Sequence, residues 1–408
     1  MDDWDVIVIG GGAAGLMAAS RAAERGRRTL LVEKKRRPGA KILMSGGSRC
    51  NLTHALNARG FVEAFAEQGP FLHSALAALG PQRLVDMIEA EGVKTKIEPT
   101  GKIFPVSDRA DDVLAALLAI LGRSGCTLAC DEPVQSIAPH AAGLRVVTSR
   151  RTLLAESVIV TTGGKSFPSS GSTGDGYAWA AELGHTIVPP RPALVPITSA
   201  AACIRELQGI TLPDVLVRVM EDAEYLAQRR SSLLFAHFGV TGPAAMDVSR
   251  AISGHPQPRR LMLRCDLLPD RKAEALEVEI QEECQGAGRR LVAGIISRYV
   301  PQRLAETIAA QARIDPQRRA AELSRAERQR LVGWLKQFEI PVSGTLGFNK
   351  AEVTAGGVAL DEVDSHTMES RLAPGLFFAG EVLDIDGPIG GYNFQAAFST
   401  GWLAGENA

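Results

Sequence analysis

Residues 4–34, WDVIVIGGGAAGLMAASRAAERGRRTLLVEK, constrain the fold more than any other part of the chain. Val6 to Ile9 form an unbroken apolar run, the pattern of a strand buried on both faces. Gly10, Gly12 and Gly15 then supply Gly-x-Gly-x-x-Gly, followed by an alanine-rich helical segment to about Arg25. Gly26 caps that helix, and TLLVE reads as a second strand ending in Glu33. Gly10 permits the tight turn, Gly12 admits a pyrophosphate at the helix N-terminus, and Gly15 lets helix and strand pack closely. Glu33 lies where a carboxylate accepts both hydroxyls of an adenosine ribose. Ala13, Ala14 and Lys34 join them as candidate binding residues. Nicotinamide and flavin enzymes share this dinucleotide fingerprint, so the rest of the chain must choose between them.

A second segment, PGLFFAGEVLDIDGPIGGYNFQAAFSTGWLAG, returns to the same kind of site near the C-terminus. Leu376 to Ala379 predict a buried strand that Gly380-Glu381 ends. Gly390-Gly391 opens a helix to about Ala404 that begins with Tyr392 and Asn393. This is how large flavoproteins hold FAD: an acid such as Glu381 meets ribitol or phosphate-side groups. A helix N-terminus aims amides and positive dipole at flavin N1/O2. Asp384 is expected to hold the loop or a ribitol hydroxyl. A third segment has a strand, Val158 to Thr161, ending in Thr162-Gly163-Gly164, a small turn of the kind that passes close to a dinucleotide. Upstream, EPVQSIAPH predicts a strand whose backbone near Val134 pairs with adenine.

Three distant segments pointing to one FAD imply an α/β, Rossmann-type FAD-binding domain of the glutathione-reductase kind, built from 1–190 and 345–408. The 408 residues exceed one simple core. Residues 191–265 with 337–344 alternate apolar and polar positions in short runs, predicting an inserted antiparallel, barrel-like domain. Within it HFGVTGPAA offers His237 as a residue that could face a substrate, although a lone histidine is more often structural. Residues 266–336 read as a helical subdomain. Between 289 and 336 there are eleven Lys or Arg against four acids, an excess of seven positive charges, whereas the whole chain carries −1. A basic helical stretch suits a phosphate backbone; the same charges also suit a solvated helix face.

The stretch KILMSGGSRCNLTH, residues 41–54, follows the second strand, where a chain of this kind passes the flavin. Lys41 and Arg49 place cations there for a pyrophosphate or another anion, and Ser45, Gly46 and Gly47 offer backbone donors. Cys50 and Asn51 are expected beside the isoalloxazine. A lone cysteine excludes a dithiol relay and leaves Cys50 either a proton donor or a packing thiol. The other cysteines, at 126, 130, 203, 265 and 284, form no metal-ligand spacing, so no metal site is expected. Scattered cysteines, an acidic start without signal-peptide character and the lack of an ~18-residue apolar run predict a cytoplasmic protein without a membrane segment.

Taken together, GAKILMSGGSRCNLTH, TTGGKSFPSSGSTGDGYAWAAELGH, HFGVTGPAA, AEVTAGGVALDEVDSHTMESR and GLFFAGEVLDIDGPIGGYNFQAAFSTG resemble the BaiN/RdsA (YhiN-like) family of FAD-dependent oxidoreductases. The resemblance spans nearly the whole chain, with one departure: Ser48 stands where the family has a third glycine. It implies a Rossmann-type FAD domain, an inserted β-barrel-like domain and a helical piece. It also implies one of several activities: steroid-enone reduction, aminoacetone oxidation, or dihydrouridine synthesis in large-subunit ribosomal RNA. In the last, NAD(P)H acts as transient reductant and ribosomal RNA as partner. The basic helical stretch favours RNA. A small-molecule flavin reductase or oxidase, and an FAD-holding RNA-binding protein without turnover, are the alternatives.

Overall fold

The computed structural model describes residues 2–286 and 288–408. They fall into two compact units, Met1–Pro192 with Glu352–Ala408, and Ala193–Ala351.

The first unit is built on a sheet whose central strand is Asp2–Ile9. Val6, Ile7 and Val8 are wholly buried, as helices on both faces require. Thr29–Val32 and Thr152–Val160 flank this strand in parallel, and Thr127–Ala129 extends the sheet beyond Thr29–Val32. The strand Thr152–Val160 splits its outer edge between two partners. Its first half pairs antiparallel with Gly143–Thr148, which pairs with Val134–His140. Its second half pairs in parallel with Leu376–Phe378, brought back from the far end of the chain.

The register puts the carboxyl ends of four strands in one row. Ile9 lies opposite both Val32 and Val160, and Val160 lies opposite Phe378. The segments that follow these ends are 10–12, 33–35, 161–164 and 379–381, and all therefore leave the sheet at the same edge. In an open α/β sheet that edge is where ligands bind.

Two helices cover this region, Ala13–Glu24 and Tyr392–Asn407. They touch backbone to backbone. A Cβ at Gly401 would lie 2.2 Å from the carbonyl oxygen of Ala14, and one at Gly405 would lie 2.3 Å from that of Ala18. Glycines four apart on one helix face, against Ala14 and Ala18, allow the approach. A small sheet of Thr53–His54, Lys102–Pro105 and Thr95–Ile97 completes the surroundings of the C-terminal helix.

The second unit is a seven-stranded antiparallel sheet. Its edge strands, Phe338–Pro341 and Gly344–Thr345, are separated in sequence by two residues. The sheet must therefore curl until its edges meet, as a barrel does. The segments read as helical resolve into Ala273–Gln285, Val292–Ile296, Gln302–Gln311 and Arg325–Lys336. Their apolar faces share one core with the sheet: Leu276, Ile280, Leu304, Ile308 and Leu331 pack together with Val217, Leu263 and Phe338. The helices thus have no separate core of their own.

A helix-interior glycine replaced by alanine normally gains about 1 kcal/mol of helix propensity. Here the added methyl meets rigid backbone, and overpacking costs about 1–3 kcal/mol. Gly405→Ala is therefore expected to lower the midpoint of thermal unfolding, and an unchanged or raised midpoint would contradict the close helix contact.

Candidate active site

The glycines of the loop each stand where a side chain would matter or where the backbone lies open. Gly10 has φ +106°, and a Cβ there would sit 2.8 Å from Thr161 O. A Cβ at Gly15 would collide with Gly10 O at 1.8 Å, so only glycine lets the helix start this close to the strand. A Cβ at Gly12 meets no heavy atom within 4 Å, so its side opens outward. Gly12 caps the helix Ala13–Glu24, whose first turn has no capping side chain and no acid. Its leading amides are thus available to an anion, and Ala13 and Ala14 are the buried residues that carry them.

Glu33 folds back on this loop. Its Oε2 accepts from Gly11 N (2.6 Å) and its Oε1 from Lys35 N (2.7 Å), which leaves each oxygen one further acceptor position. The backbone of Glu33 also bonds Glu132 N, two residues before Val134, and this sets the Val134 strand beside the acid. Lys34 turns away, to Thr173 Oγ1 and Asp175 Oδ2, both at 2.6 Å.

At the other end of the row the turns lock together through one carboxylate. Glu381 Oε1 accepts from Ser166 Oγ (2.7 Å) and Thr354 N (2.9 Å), while Oε2 accepts from Lys41 Nζ (2.7 Å). Lys41 also donates to Ser166 Oγ at 2.7 Å. Thr354 Oγ1 receives Lys165 N and Ser166 N. A Cβ at Gly164 would meet Thr354 Oγ1 at 2.3 Å and Glu381 Oε1 at 2.8 Å, so the Thr162-Gly163-Gly164 turn is fitted around this hub. Gly163 is left-handed, with φ +71°. Asp384 Oδ1 holds Gly356 N (3.0 Å) and Gln68 Nε2 (3.3 Å), which makes it a loop-holding residue. Gly380, at φ +77°, bends the chain past Ala14.

The C-terminal helix Tyr392–Asn407 begins after Gly390 (φ +136°) and Gly391 (φ +92°), again with no side-chain cap and no acid in its first turn. Asn51 occupies the approach: its amide donates to Thr53 O (3.1 Å) and accepts from Gly391 N (2.9 Å). A Cβ at Gly391 would lie 2.6 Å from Thr53 O, so the helix entry rests on the strand Thr53–His54. Asn393 ties the preceding loop, with Oδ1 accepting from Gly387 N at 2.8 Å. Tyr392 stacks on His54 with centroids 4.9 Å apart. Two uncapped helix N-termini, an outward-open Gly12 and an acid with spare acceptor positions fit the diphosphate, flavin and ribose of FAD.

The family described as HI0933-like protein Rossmann domain matches residues 4–407. The chain belongs to this family. It is 34% identical to the ribosomal RNA dihydrouridine synthase of Escherichia coli (strain K12), over 100% of this chain and 98% of that protein. It is 32% identical to the 3-dehydro-bile acid delta(4,6)-reductase of Clostridium scindens, over 91% of this chain and 90% of that one. Among solved structures, a flavocytochrome c3 fumarate reductase in its open conformation matches with a TM-score of 0.50 at 16% identity, covering 100% of this chain and 78% of that one. The 3-ketosteroid-delta4-(5alpha)-dehydrogenase of Rhodococcus jostii RHA1 matches equally, at 0.50 and 15%, covering 100% and 96%. These last two speak for the fold alone. This HI0933-like chain is an FAD-dependent oxidoreductase.

The 41–54 stretch differs from a plain loop. Ala40 to Met44 are helical, then Gly46 (φ +55°), Gly47 (+69°), Ser48 (+67°) and Cys50 (+61°) run left-handed. Ser48 thus keeps the glycine conformation at the cost of backbone strain, about 1–2 kcal/mol for a non-glycine residue. Ser45 Oγ donates to Ile42 O, and Ser45 O accepts from Cys50 N. Arg49 is engaged within the protein. Its guanidinium lies over the Phe104 ring (4.0 Å) and pairs with Glu98 at 2.7 Å, which raises its already high pKa. Cys50 is 0% exposed within the apolar core, and burial pushes its thiol up to about 12. That environment is one of a packing thiol. His237 belongs to the second unit, exposed between Glu224–Ala236 and Gly239–Thr241 with its ring against Phe238. Among the described residues no group of three or more His, Cys, Asp or Glu is placed to hold a metal ion.

Sequence reasoning missed His54, Ser166, Thr354 and Gln68. His54 Nδ1 lies 3.0 Å from Gly390 O, and the ring packs under Tyr392. Its signal was its place at the end of a chemistry-rich stretch. Ser166 and Thr354 stand within quoted motifs but meet Glu381 and each other only in space, which spacing does not reveal.

Two outcomes follow from this geometry. Glu33→Ala should leave a folded chain that releases FAD on gel filtration; full flavin loading of that variant would contradict the ribose assignment. In the folded protein at pH 8, Cys50 should resist iodoacetamide because its thiol is buried and protonated. It should react once the chain is unfolded. Rapid modification of native Cys50 would restore the proton-donor reading.

Proposed function

We propose that this oxidoreductase saturates an activated carbon–carbon double bond, and that its substrate is a uridine of large-subunit ribosomal RNA. The observation carrying this reading is the 34% identity to a ribosomal RNA dihydrouridine synthase from end to end of both chains. The names of the two curated relatives differ in substrate and share one operation, the addition of two hydrogens across a C=C bond. FAD, when bound, supplies the hydride for that addition, and NAD(P)H is the proposed transient reductant.

The chain's own residues bind, orient and hold charge. The N-terminus of Ala13–Glu24 receives the diphosphate behind Gly12, and Glu33 receives the ribose. The N-terminus of Tyr392–Asn407 presents amides and a positive dipole where the flavin accepts negative charge. Asn51 and the Thr53 carbonyl fix that helix start. The Lys41–Glu381–Ser166 hub fixes the turns on the ribitol side, with one acceptor position left on Glu381 Oε2. Burial, with Glu381 and Asp384 nearby, drives the Tyr177 phenol well above its usual range and keeps it a neutral wall. Among the described residues no helix is long and apolar enough to cross a membrane. A ribosomal RNA substrate would place the enzyme in the cytoplasm.

A second reading, reduction of a small conjugated ketone, is favoured by the bile-acid reductase relative. One experiment separates the two. The purified holoprotein is incubated with NADH or NADPH and either a large-subunit rRNA transcript or a steroid dienone. Products are then read by mass spectrometry. The rRNA reading expects a uridine gaining two hydrogens only when the nicotinamide is present. Reduction of the dienone with untouched RNA would replace it by the second reading.

A further inference from the structure

The charge excess read from residues 289–336 does not survive evenly in space. Just upstream, the helix Ala273–Gln285 carries five glutamates, outside the window in which the excess was counted. Arg298 pairs with Glu283 at 3.0 Å, and Arg325 faces Glu277 at 3.6 Å. Arg318 pairs with Glu327 at 2.6 Å, and Lys336 with Asp266 at 2.7 Å. Arg303, Arg328 and Arg330 spend their donors on backbone carbonyls of Glu206 and Gln208, Leu323, and Ala312. These seven cations are built into the unit.

Arg289, Arg290, Arg313 and Arg319 are different. All four are exposed, and among the described residues no side-chain hydrogen bond or ion pair engages any of their guanidinium groups. They sit in two segments that the fold joins. Leu291 and Arg319 form an antiparallel bridge, Ala320 N donates to Arg290 O, and Ala293 N donates to Pro316 O, each amide bond at 2.9–3.1 Å. The bridge sets Arg289 and Arg290 beside Arg319, and Arg313 stands on the turn three residues before Pro316. The nearby acids are already committed: Asp315 Oδ1 accepts from Gln317 N at 2.9 Å, and Glu322 is turned toward Arg318. What remains is a patch of four guanidinium groups without carboxylate partners, on short, well-anchored backbone.

We infer that this patch, Arg289, Arg290, Arg313 and Arg319, is the surface on which the sugar–phosphate backbone of the RNA substrate docks. The inference rests on the RNA reading of the proposed function. Arginine forks bind phosphate oxygens in pairs, and an exposed guanidinium without a carboxylate keeps its full charge for them. Each phosphate neutralised releases counterions, so such a surface shows itself in the salt dependence of binding.

The test uses the FAD-loaded full chain and a labelled large-subunit rRNA fragment, with affinity measured over a series of salt concentrations. The variant replaces all four arginines by glutamine. Arg325→Gln, an exposed arginine already paired to Glu277, serves as control. The quadruple variant should bind at least tenfold more weakly at low salt. Its slope of log affinity against log salt should be shallower by about 3, at roughly 0.7 per phosphate. Arg325→Gln should bind as the wild type does, and the flavin absorbance of all three proteins should match. Wild-type affinity and slope in the quadruple variant would overturn the docking surface while leaving the RNA reading intact. Equal loss in Arg325→Gln would show diffuse charge rather than a built surface and would also overturn it. A wild type that binds no RNA would overturn both inference and RNA reading.

Discussion

Everything at the candidate site depends on the register of parallel strands around Ile9. Because Ile9 lies opposite Val32 and Val160, and Val160 opposite Phe378, four chain exits separated by hundreds of residues stand in one row. Slippage of one residue would turn each strand's buried side chains to the other face and misalign the exits. The glycine loop, Glu33, the Thr162 turn and Glu381 are chemically ordinary residues. Their common edge sets them side by side, where one extended molecule could span them.

Close backbone approach maintains that row. Gly15 against Gly10, and Gly401 and Gly405 against Ala14 and Ala18, let two helices start near the same edge. Each presents an uncapped N-terminus, and the two therefore act as a pair of positive poles. One suits a diphosphate, the other the electron-rich end of a flavin. The Lys41–Glu381 ion pair links the excursion after the second strand to the turn after the last one, and Ser166 and Thr354 complete it. Lys41, Glu381, Ser166 and the Thr354 amide bond one another, which holds the turns in place before any ligand arrives.

Much of this was legible in the sequence, because it rests on local patterns. The Val6–Ile9 run, the glycine spacing, Glu33 and the Gly390-Gly391 helix start carry their geometry in residue type and distance along the chain. The Lys41–Glu381–Ser166 hub was not legible, since its members lie far apart and meet only in three dimensions. The role of Gly401 and Gly405 was hidden for the same reason: a glycine within a helix gives no sign of what it touches. Arg49 and Cys50 drew attention by chemistry, yet one is stacked on Phe104 beside Glu98 and the other is sealed in the core. The basic stretch shows a related limit. Charge counted along the chain ignored the glutamates of the preceding helix, and pairing in space leaves four bare arginines where eleven cations had been counted.

The central claim is that the two ends of the row grip a single dinucleotide. Titration of flavin-stripped protein with FAD, FMN and ADP tests it most directly, with binding followed by flavin fluorescence and, for ADP, by competition. One FAD per chain is expected, bound far more tightly than FMN or ADP alone, because only FAD reaches both helix N-termini. FMN binding as tightly as FAD, or a chain that takes up no flavin, would contradict it.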